Sequence, residues 1–153
     1  MSIRTEMPLL ARHEGEWSGV YTHVDAAGKV IDQHKSHLSC RFPETGEYDY
    51  QQTNVYTWDD GRHEEFSFPA QLRAGRIWFD TERIEGSAWE VDSMSIILHW
   101  RRKDIEDACL YEMIQLSECG QHRTRTWHWL HRGELFQRTL IKEEKVSPSE
   151  VTS

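Results

Sequence analysis

The chain has 153 residues, 37% of them apolar and 29% charged, as expected of one globular domain with a single core. A formal charge of -8 argues against a surface for nucleic acid or anionic membrane, because both need clustered Lys and Arg to replace counterions. No run approaches the ~20 apolar residues of a membrane span, while seven Trp, five Tyr and five Phe are many for this size and must line something; the expected partner is a small molecule.

From the N-terminus, Met7, Leu10 and Ala11 fall at helical spacing between Thr5 and Glu14, with Thr5 as N-cap and Pro8 in the first turn. No signal-peptide pattern precedes them, and Cys40, Cys109 and Cys119 show no paired spacing. Reduced thiols in a cytoplasmic protein are expected. After Gly15 the period changes to two, and turn signals recur at 25–28, 43–46, 59–61, 73–75, 85–86, 119–120 and 132–133. They separate about ten strands, approximately 17–24, 30–42, 48–58, 64–72, 76–83, 87–91, 95–102, 109–116, 123–131 and 135–146. So many consecutive hairpins predict an all-β antiparallel up-and-down barrel, since closure removes unpaired edges. Residues 1–146 form the expected single domain, and the polar segment 147–153 an expected disordered tail.

Alternation on the third strand puts Tyr48, Tyr50, Gln52, Asn54, Tyr56 and Trp58 on one face, taken as the interior. Buried amides and phenols need partners, which a ligand, ordered water or the side chains themselves can supply. On the seventh strand Ser95, Ile97, His99 and Arg101 share one face and Ile96, Leu98 and Trp100 the other, and the pattern does not choose between them. On the ninth, Arg123, Arg125, Trp127, Trp129 and His131 share a face. An inward guanidinium there would need a counter-charge, which a carboxylate or phenolate ligand would provide; an outward arginine ladder is the competing arrangement.

Gly15-Glu16-Trp17, after a short N-terminal helix, resembles the Gly-x-Trp start of the calycin superfamily of lipocalin-like and fatty-acid-binding-protein-like barrels. In that superfamily an arginine of the last strand packs over this tryptophan, and Arg138 is the matching position. The closing Arg138-Thr139-Leu140-Ile141 run, with the chain as a whole, is similar to a bacterial lipocalin-like family of unknown function. Ten strands look more like the fatty-acid-binding, nitrobindin and bilin-lyase branches than the eight of a lipocalin. The resemblance implies a ligand cavity, and an arginine and an aromatic two apart near the chain end to hold a carboxylate.

Three functions follow as expectations. As a binder of an aromatic or hydrophobic phenol or carboxylate, the barrel would use Tyr48, Tyr50, Tyr56, Trp127 and Trp129 as walls, with Gln52, Asn54, Arg101 and Arg125 for the polar end. As a cofactor-independent lyase, isomerase or decarboxylase it would use His99 or His23 as acid or base, Tyr50 as second proton carrier, and Arg125 against developing negative charge. Bilin or heme handling needs a larger open cavity. No cofactor and no metal site is expected, because His34 with His37, and His128 with His131, fall on opposite strand faces. Outward apolar residues are compatible with a homodimer.

Overall fold

A computed structural model describes residues 2–147 of the chain; the expected tail lies, from residue 148 onward, outside the described residues. Ten strands follow one another: β1 Gly15–Asp25, β2 Val30–Arg41, β3 Tyr50–Thr57, β4 His63–Arg73, β5 Arg76–Asp80, β6 Ile84–Glu90, β7 Ser95–Arg102, β8 Ala108–Leu116, β9 His122–His131 and β10 Glu134–Val146. Each pairs antiparallel with its successor, and β10 returns to β1, closing the barrel. The all-β up-and-down barrel read from the sequence is therefore the architecture found.

Turn chemistry explains the tightest connections. Ala74-Gly75 and Arg132-Gly133 are two-residue loops with all four φ values between 52° and 79°, the left-handed backbone that a primed hairpin turn requires. The expected turn at 85–86 is instead interior to β6, and the chain reverses at 81–83. At Gly86 an added Cβ would meet His99 O at 2.0 Å and Trp100 Cα at 2.5 Å, so the glycine serves the close approach of β7 rather than a turn.

The single helix expected from Thr5 is two one-turn helices, α1 Ile3–Glu6 and α2 Pro8–Ala11. Ser2, not Thr5, is the cap: its hydroxyl accepts from Thr5 N, and the Thr5 hydroxyl accepts from Ser2 N. Pro8 brings no N–H to continue α1 and starts α2 instead. Ile3, Met7, Leu9 and Leu10 are buried against one end of the barrel. The Leu10 amide donates to Glu90 on β6, and Lys145 Nζ donates to Arg12 O, so the plug is fastened from both sides.

Trp17 sits beneath this plug, its indole N–H donating to His13 O at 2.9 Å. The cation over its ring is Arg123, with Cζ 4.3 Å from the centroid, and Lys145 Nζ lies 5.4 Å away. Arg138 was the expected partner. It pairs with Val24 seven register positions along β1 and is exposed near the other end. The clasp therefore comes from the start of β9 rather than from the middle of β10.

Candidate functional site

The interior is built in two layers. Next to the plug lies a buried charge network in which the Arg123 Nε donates to Glu143 at 2.7 Å and the Arg125 Nε to Glu112 at 2.6 Å. The Arg125 Nη1 adds bonds to the Tyr21 hydroxyl at 3.0 Å and to Glu143 at 3.4 Å. The Trp127 indole N–H donates to the same Glu112 oxygen that Arg125 uses. Two arginines face two glutamates, so the burial of four charges is offset within the chain. Burial drives the Glu143 carboxyl up, but Arg123 and Arg125 outweigh it and hold the group below its ordinary range. Burial, with Arg123 second, pushes the adjacent His13 imidazole well down.

The inner face of β3 satisfies itself. Tyr50 OH donates to Gln52, the Gln52 amide to Asn54, and the Asn54 amide to the Tyr56 hydroxyl, in steps of 2.6 to 2.9 Å. Residues two apart on a strand share a face, and these four form one ladder. With Arg125 and Glu112, the amides of Gln52 and Asn54 border only a void of about 20 Å³, room for roughly one water.

Above this layer the barrel opens into a cavity of about 530 Å³. Phe66, Phe68, Trp100, Trp127 and Trp129 form much of its wall, and Phe68 stacks on Trp100 with centroids 5.6 Å apart. Arg102 at the rim is held bidentately by Asp104, both contacts at 2.7 Å. The opposite wall is polar. His34 lies among the rings of Tyr21, Tyr56 and Trp58, and its Nδ1 meets Asp32 at 3.0 Å. Asp32 also accepts from the Trp58 indole at 3.0 Å. Burial raises the Asp32 carboxyl, yet the bonds from His34 and Trp58 leave it below the ordinary range.

His23 completes this wall, half-buried, with Nδ1 2.7 Å from the Thr139 hydroxyl. Burial first, and His34 second, lower its pKa, which favours the neutral ring. β1 and β2 slip register between His23 and Val24, a bulge at the edge of the cavity. Two wall atoms, His34 Nε2 and Trp100 Nε1, are buried and without a hydrogen-bond partner among the described residues.

Of the residues singled out from the sequence, His23, Tyr56, Trp127 and Trp129 line this cavity. His99 does not: it lies on the outer face with its ring 4.4 Å from Tyr111, because Ile96, Leu98 and Trp100 take the inner face of β7. Arg101 shares that outer face and pairs with Glu85. Arg125, whose facing the sequence left open, points inward, yet Glu112 and Glu143 already supply its counter-charge. Tyr50, Gln52 and Asn54 are inward too, but belong to the layer below. Tyr48 precedes β3 and is not part of the wall. Against the expectation of no metal cluster, His23, Asp32 and His34 each offer a ligand atom, all within 4.8 Å of one another. The signal was present in the β1–β2 hairpin: Asp32 and His34 are two apart, and His23 is the cross-strand partner of Asp32. Inspection of spacing along one strand at a time misses it.

No family profile matches the chain, and no curated protein matches it. Solved structures do. An S-type phycobiliprotein lyase from Guillardia theta superposes with a TM-score of 0.74 at 13% identity, over 96% of this chain and 94% of that one. A protein of unknown function from the DUF3598 family of Nostoc punctiforme gives 0.72 at 17% identity over 90% of this chain. The chain spans about half the length of that protein, 49%. Rv2717c from M. tuberculosis gives 0.66 at 10% identity, over 92% and 97%.

The fold is a closed ten-stranded antiparallel barrel that these structures share.

At these identities the likeness extends to the fold alone, and the site rests on its own residues.

Proposed function

We propose that the barrel binds a small, flat, largely aromatic molecule carrying an acidic oxygen, a phenol or a carboxylate, in the cavity beside His23 and His34. The observation that carries this reading is the cavity itself: about 530 Å³, walled by aromatic rings on one side and imidazoles on the other. Its volume is typical of small-molecule sites, and apolar walls with few polar groups are what such ligands need. Acid–base work on such a ligand falls to His23, whose neutral ring can take a proton, with Tyr56 beside it in the wall.

The test is titration with 8-anilinonaphthalene-1-sulfonate, an anionic aromatic dye, followed by displacement with simple hydroxybenzoates. Saturable binding at one site is expected, and Phe66→Glu, which places a carboxylate in the wall, should weaken it at least about tenfold. Equal affinity in that variant would mean that the dye sits elsewhere and would remove the proposal's support.

A second reading is favoured by the likeness to the phycobiliprotein lyase over 96% of this chain. A linear tetrapyrrole carries carboxylates on a flat conjugated body, so it meets the same chemical description. Titration with biliverdin, read by a shift of its visible absorption, distinguishes this case from simple phenols.

A further inference from the structure

We propose that His23, Asp32 and His34 bind one divalent transition-metal ion at the open end of the barrel. The three residues lie on two hydrogen-bonded strands, with His23 opposite Asp32 and Tyr21 opposite His34. A rigid hairpin thus projects all three toward one point of the cavity wall, and one ligand atom from each is within 4.8 Å of the other two. Metal–nitrogen and metal–oxygen bonds of about 2.0–2.2 Å bring ligand atoms to within roughly 3.5 Å of each other, a contraction that side-chain rotation can supply.

The hydrogen bonds already bring two of the ligands together. Asp32 as a carboxylate can only accept, so His34 Nδ1–H donates to it at 3.0 Å, and an ion held by both takes the place of that proton between Nδ1 and the carboxylate oxygen. The His34 Nε2 is buried and meets no partner among the described residues. Asp32 is itself oriented by the Trp58 N–H, and His23 by the Thr139 hydroxyl and the Gln137 amide. No neighbouring cation competes: among the described residues lining this cavity, Arg102 is engaged by Asp104 and the Arg83 guanidinium lies over Phe66.

Two imidazoles and one carboxylate suit Zn(II), Co(II), Ni(II), Cu(II) or Fe(II) rather than Mg(II) or Ca(II), which prefer all-oxygen shells. Because all three residues line the cavity, the remaining coordination positions open toward it. The inference does not rest on an organic ligand, since the ion alone is the probe.

Chelator-treated protein is titrated with Zn(II) by calorimetry. One ion per chain at micromolar affinity or tighter is expected, weakened at least about tenfold in His23→Ala and in Asp32→Asn. His99→Ala, on the outer face, should bind as the parent does. Circular dichroism confirms that each variant is folded. Should Asp32→Asn unfold, the half-buried His23 decides alone, and the visible ligand-field bands of a Co(II) complex give an independent readout in the parent protein. Absence of binding overturns the proposal, and so does Zn(II) affinity that survives both substitutions. Failure here with retained dye binding leaves the organic-ligand reading standing, and the reverse outcome leaves the metal site.

Discussion

Arg125 is the residue whose role the folded chain defines most sharply. Its side chain is 4% exposed and the carboxylates of Glu112 and Glu143 are 3% and 0% exposed, so each depends on the others for its missing hydration. Removing one member of such a set leaves an uncompensated buried charge. Arg125→Met is therefore expected to lose about 3–5 kcal/mol of unfolding free energy, read by urea denaturation, while dye affinity in the folded variant stays within about twofold. Unchanged stability with lost affinity would return Arg125 to the ligand. Alternation along β9 put Arg123, Arg125, Trp127 and Trp129 on one face, because that pattern depends only on backbone geometry; that this face is the inner one shows only in their burial. What meets Arg125 depends on register across strands: Glu112 pairs with Trp127 and Glu143 with Arg123. No spacing within β9 encodes that. His99 was undecidable for a related reason, since both faces of β7 carry apolar residues and only burial of Trp100 and Leu98 settles which is inside.

At the scale of elements, the β1–β10 seam closes the barrel and depends on a glycine. Gly19 pairs with Glu143, and a Cβ there would lie 2.5 Å from the Glu143 side chain and 2.6 Å from Lys142 O. The missing side chain is the space into which the buried glutamate folds. Gly19→Ala should destabilise the barrel by about 1–3 kcal/mol, measured as a shift of the urea midpoint at unchanged slope; a neutral result would mean that the seam can spread. Hairpins such as Ala74-Gly75 were legible because turn geometry is written in local residues. Gly19 and Gly86 were not, since they answer to the strand paired beside them, β10 for Gly19 and β7 for Gly86, rather than to a local turn. The same holds for the polar wall of the cavity, where His23 joins Asp32 and His34 only once the β1–β2 register is known.

The whole molecule is a barrel with one end plugged by the N-terminal helices and the other end open. Its charge network lies by the plug and its aromatic cavity by the opening. The seven tryptophans report on this division. Trp58, Trp100, Trp127 and Trp129 line the cavity, whereas Trp17 lies under the plug and Trp78 and Trp89 are covered by Arg73 and Arg76. The abundance of aromatics was visible in the composition, and the closed sheet in the period-two pattern. Their sorting into cavity wall, clasp and outer surface emerges only with closure. The most direct measurement is a 15N–1H correlation spectrum of the indole N–H groups during titration with the anionic aromatic dye. Binding in the cavity predicts shifts of the Trp58, Trp100, Trp127 and Trp129 signals, with Trp17, Trp78 and Trp89 unmoved. Shifts confined to Trp78 and Trp89, or saturable binding with no change in the cavity four, would contradict it.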